Sequence, residues 1–141
     1  MPKVTIDNGR GLVQTGGNGL VVESSATFKN LVLAAESVTA AGAASVTVPV
    51  TLTTSSGDTM AVTLADGSFE GQMKYFVELH ATNATSITPT TTCGAWTAAT
   101  LTNIGENVTM VWTASGWALI GRSGGAAQAS ATAVAGQPII A

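Results

Sequence analysis

The chain is expected to be all-β: an antiparallel β-sandwich or barrel of about eight to nine short strands, with an extended N-terminal arm and a small-residue C-terminal tail. Three observations predict this. Apolar residues recur at every second position in several runs between residues 46 and 120, the period of a strand with one buried face. Gly, Asn, Asp and Ser break these runs at short intervals, as tight turns require. No stretch carries a convincing helical pattern.

Composition supports a folded chain. Its 141 residues suffice for one domain with a modest core. Only 9% of them are charged, against roughly 25% in an average soluble domain. Disordered chains pair low hydrophobicity with high net charge; here 45% of residues are hydrophobic and the net charge is −3. So little charge protects a surface poorly against self-association. Part of that surface is therefore expected to lie in subunit contacts.

The elements follow in order. Residues 1–28 form the arm. Asn8-Gly9, Gly16-Gly17 and Asn18-Gly19 punctuate the apolar pairs Leu12-Val13 and Leu20-Val21, too many breakers for a regular packed element. A short strand is expected over 19–23. The arm is read as lying across a neighbouring subunit, with Leu12, Val13, Leu20 and Val21 as its contacts. Residues 29–121 form the β domain. Phe28 to Glu36 could be a strand or one helical turn; Leu31 and Leu33 alternate, which favours a strand. Residues 40–45 read as a loop. From Val46 to Thr53 the apolar set is 46, 48, 50 and 52. Pro49 lies on the outward register and cannot donate a ladder hydrogen bond, which marks an edge strand or a bulge. The turn at 55–58 leads into a strand over 59–64 with Met60, Val62 and Leu64 inward, and the two strands make a plausible hairpin.

Asp66-Gly67 turns the chain again. Gln72 to His80 places Met73, Tyr75, Val77 and Leu79 on one face, read as inward, and Lys74, Phe76, Glu78 and His80 on the other. Phe76 is the exception on that polar face, and is expected to meet a neighbouring subunit or cover its own sheet edge. Short strands follow around Ser86-Ile87-Thr88 and over 96–103. Asn107 to Thr113 turns Val108, Met110 and Trp112 to one side, and Gly116 leads into the last strand, 117–120. Trp112 and Trp117 should act as core plugs, since each can bury a large area. Residues 122–141 are a small-residue tail.

Side chains fit for chemistry are scarce. His80 is the only histidine and Cys93 the only cysteine, so no disulfide within the chain and no zinc ligand set is expected. The eight Asp and Glu are scattered, and no spacing singles out a carboxylate pair. Asp66 to Glu70 superficially resembles part of a calcium loop but lacks the further oxygen ligands. No Gly-x-Ser-x-Gly elbow or P-loop occurs. The chain is thus read as a non-enzyme with no catalytic residue, cofactor or metal. Five Lys and Arg, at 3, 10, 29, 74 and 122, make no patch for nucleic acid. No run of about 18 apolar residues could span a membrane. The N-terminus lacks the apolar core of a secretory signal, so synthesis in a cytoplasm is expected.

Several of these residues carry a resemblance. Leu64-Ala65-Asp66-Gly67, then Glu70-Gly71-Gln72-Met73-Lys74, then Gly105-Glu106-Asn107-Val108-Thr109-Met110-Val111-Trp112 with Ser115-Gly116-Trp117-Ala118-Leu119-Ile120-Gly121, resembles a β module of tailed-bacteriophage structural proteins. That module occurs in head decoration (cement) proteins and in head or tail fibres, usually as trimers. The resemblance spans about residues 46–125. It implies a virion role: a homotrimer on the capsid surface, with the phage major capsid protein or other virion proteins as partners. Fibres carry the module within a much longer chain, and here it is nearly the whole sequence, which favours a decoration protein. A tail-fibre, knob or head-fibre component touching the host surface is the alternative.

Overall fold

The structure is a computed structural model that describes residues 5–7, 9, 11–13, 16 and 19–123. The chain divides into two compact units, Met1–Val32 and Leu33–Ala141. Among the described residues every regular element is a strand.

In the first unit, β1 (Thr5–Asp7) and β2 (Gly11–Val13) form a small antiparallel pair with Thr5 opposite Val13. Leu12 and Val13 therefore belong to a strand. Residues 19–32 form none, so the strand expected over 19–23 is absent. Nor does the strand expected at Phe28 begin there; β3 starts at Ala35. The cause lies in the side chains: Leu20, Val21, Phe28, Leu31 and Val32 are all exposed, and a strand without a buried face has little to hold it.

The second unit is built from β3 (Ala35–Val38), β4 (Gly42–Ala44), β5 (Val50–Ser55), β6 (Met60–Leu64), β7 (Met73–Ala81), β8 (Thr85–Pro89), β9 (Ala99–Leu101), β10 (Asn107–Thr113) and β11 (Gly116–Ser123). One sheet has the order β11-β10-β7-β5-β3, the other β4-β6-β8-β9. Among the described residues both orders are open and no barrel closes. Chain order and sheet order together reveal the architecture. The chain crosses between the sheets at each step, β3 to β4, β5 to β6, β7 to β8, and each new strand lies parallel to the one laid down two steps before. These are three stacked rungs, in the manner of a solenoid. The antiparallel β9 and the β10–β11 hairpin finish the stack.

Within the second unit the antiparallel expectation therefore holds only for these closing strands. The hairpin expected from residues 46–64 does not form, since β5 and β6 stand in different sheets. Period-two alternation reports a buried face and says nothing of the partner strand. Residues 40–45, expected as a loop, contain β4. Pro49 lies just before β5, and that strand is interior, not an edge. Its carbonyl still serves the ladder by accepting the N–H of Tyr75 at 2.8 Å. The tail expected from 122 lies outside the described residues from 124 onward.

The two sheets share one core. From the four-stranded sheet come Met60, Val62, Leu64, Ile87, Ala99 and Leu101; from the other, Phe76, Val108, Met110 and Trp117. Phe76 requires a correction. It is fully buried in this core, and so are Lys74 and Glu78 on the same face of β7. The expected inward set of Met73, Tyr75 and Val77 is only half-buried, and Leu79 is exposed. The same reversal affects β5, where Thr51, Thr53 and Ser55 are buried while Val50 and Leu52 are half-buried. Since side chains alternate, placing Phe76 inside carries its polar neighbours with it.

Candidate functional site

Two kinds of site emerge: a polar cluster inside the rungs and apolar surfaces outside them. The interior cluster lies at the β3–β5–β7 side of the core. Lys74 is fully buried, and its ammonium donates to Glu36 Oε1 at 3.1 Å and to the carbonyls of Ser45 and Val48 at 2.7 Å each. All three donors are thus used. The ammonium also lies 5.2 Å from the Phe76 ring centre. Glu36 Oε1 further accepts from Thr51 Oγ1 and the Ser45 N–H. Burial on its own would raise the Glu36 carboxyl, but the hydrogen bonds from Thr51, Lys74 and Ser45 outweigh it and hold the group below its ordinary value. Burial lowers Lys74, and Glu36 only partly restores it.

Glu78 is the second carboxylate and, unlike the half-buried Glu36, is fully buried, accepting from Thr53 Oγ1 at 2.9 Å and from the Ser55 N–H at 3.2 Å. Glu106 is the third. It takes the Thr102 N–H and the Asn103 side-chain amide, closing the turn before β10. Burial pushes it up, and these bonds bring it below the ordinary value. Each group is occupied by local structure, so the cluster braces the rungs. The described residues contain no group of three His, Cys, Asp or Glu placed to hold a metal. His80 lies exposed at the sheet rim. Cys93 is a free thiol, its backbone N–H bound to the Trp117 carbonyl. Among the described residues no helix is long and apolar enough to cross a membrane.

The turn at 65–72 and the closing hairpin meet in one place. Trp112 and Trp117 stack edge to face with ring centres 5.4 Å apart, and Trp117 Nε1 donates to the Ala65 carbonyl at 2.9 Å. Gly67 lies against the Trp112 ring so closely that a Cβ there would fall 2.3 Å from it. The Gly71 N–H binds the Trp112 carbonyl, and the Trp112 N–H binds the Gln72 carbonyl. The Gln72 side chain accepts from the Ser68 N–H and donates to the Val46 carbonyl. Spacing in the chain showed these residues only as turns and strands. Their role is to fasten the rung turn 65–72 onto the closing hairpin.

The expected partner contacts are scattered. Leu20 and Val21 are exposed, Val21 by 81%. Leu12 and Val13 sit in β2, and Phe76 is in the core. Sequence reading missed Phe28, Leu31 and Val32, which are exposed by 64–80% and extend the same apolar segment. It also missed the outward face of β5 and β7. No protein-family model matches the chain, and no curated protein matches it.

Proposed function

We propose that this protein is a structural, non-enzymatic component of a phage virion: a capsid decoration (cement) protein that binds the head surface as a homotrimer. The observation that carries this reading is the long uncovered apolar segment before β3, with Leu20, Val21, Phe28, Leu31 and Val32 exposed. A monomer gains nothing from such a segment; a protein that acts through contacts needs one. The turn-and-strand resemblance is what favours a virion setting for those contacts. A braced body suits the task, because several weak contacts around a three-fold axis add by avidity only if the body between them is stiff.

The test is binding to heads that lack their surface proteins. The protein, mixed with such heads and sedimented, is expected to pellet with them and to appear as trimeric density by microscopy. A protein that stays in the supernatant at all concentrations sinks the proposal. A fibre or host-contact role is the second reading, and the rungs favour it specifically, since parallel stacking is a way to build length. Density at a distal tip in place of the head surface would select it.

A further inference from the structure

We infer that the outward face of the five-stranded sheet is a subunit contact, covered by the apolar segment 20–32 of a second copy of this chain. The inference rests on the homo-oligomer in the reading above and names its surface.

The starting point is an inversion of polarity. A sheet in a water-surrounded monomer turns its apolar side inward and its polar side out. In β5 and β7 the inward positions are Thr51, Thr53, Ser55, Lys74 and Glu78, with Phe76 the one large apolar side chain. The outward positions include Val50, Leu52, Met73, Tyr75 and Val77, with Thr54 beside them at the bulge. The outward side is thus the more apolar of the two. These side chains adjoin one another. Val50 pairs with Tyr75 and Leu52 with Val77 across the parallel ladder, and Met73 pairs with Val111, which pairs with Ala118. Together they make one continuous patch over four strands.

The four-stranded sheet is the internal control. Its outward positions include Ala61, Thr63, Ser86, Thr88 and Thr100, small and mostly hydroxylated, as a solvated face should be. The difference between the faces therefore does not follow from the composition of the chain. Something apolar belongs over the first.

The chain also carries the complement. Segment 20–32 exposes Leu20, Val21, Val22, Phe28, Leu31 and Val32 and forms no strand of its own. At about 3.3 Å per residue its thirteen residues reach roughly 40 Å, twice the width of five strands at about 4.8 Å spacing. Charge does not oppose the union. Val50, Leu52, Met73, Tyr75 and Val77 include no Asp, Glu, Lys or Arg, and the segment holds one of each sign, Glu23 and Lys29. A segment passed from each copy to the next is a heterologous contact, which closes into a ring when the rotation permits.

The test uses the full chain. Val77→Lys places a charge in the patch without touching the core. It is expected to convert the oligomer to monomer, or to raise its dissociation constant at least about tenfold, with unchanged tryptophan fluorescence. Should Val77→Lys not fold, Leu52→Thr keeps a β-favouring shape and is expected to weaken assembly in the same direction. In a Cys93→Ser background, copies with Phe28→Cys mixed with copies with Val77→Cys should be joined by a flexible bis-maleimide. A wild-type protein that is monomeric at all concentrations overturns the inference. So does an oligomer that neither folded variant weakens, or one giving no mixed cross-link. A trimer that meets all these expectations yet fails to bind heads sinks the decoration reading and leaves this contact standing.

Discussion

Thr85 is fully buried, and its hydroxyl has no hydrogen-bond partner among the described residues. An unmet buried hydroxyl costs on the order of 1–3 kcal/mol. Thr85→Val keeps the shape and removes the cost, so it is expected to stabilise the protein by about 1 kcal/mol, read as a higher urea midpoint at unchanged slope. The carboxyls make a second residue-scale prediction. Glu36 and Glu106 are both held below their ordinary value of 4.5 in the folded chain. A depressed carboxyl contributes stability that is complete above its unfolded value and is lost as pH falls through the folded one. Stability should therefore decline below about pH 4.5, and Glu106→Gln should flatten that decline, as urea melts between about pH 3 and pH 6 would show. Lys74 obeys a different logic. With its three donors satisfied, removing only its partner by Glu36→Gln leaves a buried charge poorly matched and is expected to cost about 3 kcal/mol. The paired change Glu36→Leu with Lys74→Met should cost far less in the same urea series.

At the scale of elements, the closing hairpin depends on its tip. Gly116 has φ +125°, and a Cβ there would lie 2.8 Å from the Thr92 carbonyl carbon and 3.0 Å from the Cys93 nitrogen. Both contacts are with backbone, which cannot swing aside as a side-chain end can. Gly116→Ala is therefore expected to destabilise by at least about 2 kcal/mol, visible as a lowered thermal midpoint. Gly116 was legible in the sequence as a turn residue, and the β10 strand was legible too: Val108 and Met110 alternate inward as expected, with Trp112 half-buried beside them. Neighbouring strands joined by a tight turn are a local matter, and local patterns disclose them. β7 shows where such patterns stop. Its alternation was plain, but the face it buries is chosen by remote groups: the Glu36 carboxylate and the Ser45 and Val48 carbonyls await Lys74, while Thr53 and Ser55 await Glu78. Counting apolar residues selects the other side. The parallel pairing of β5 with β7 was hidden for a similar reason, since a period of two is shared by both kinds of ladder.

For the molecule as a whole, the proposed contacts split between what a sequence can show and what only a fold can. Leu20 and Val21 stand out in a sequence because glycines isolate them, and their exposure suits a contact role. The outward face of β5 and β7 could not stand out, because in sequence it is indistinguishable from a core. An assembly held by such surfaces should respond to salt in its own way. Screening weakens attraction between exposed charges and leaves apolar contacts intact. Raising sodium chloride from about 0.05 M to about 0.5 M should leave the oligomer's mass in sedimentation unchanged; a fall to monomer would mean that charge holds it. One further consequence follows from the way the rungs are laid down. Among the described residues β3 and β4 end their sheets on the side away from the closing hairpin, so each presents a row of main-chain groups that another turn of chain could meet without any new side-chain code. A tandem copy of 35–49 spliced ahead of Ala35 would then lengthen the body by one strand spacing, about 4.8 Å, while the tryptophan fastening at the far end is left undisturbed. Reach, in such a molecule, can change by duplication while the lock that sets its fold stays as it is.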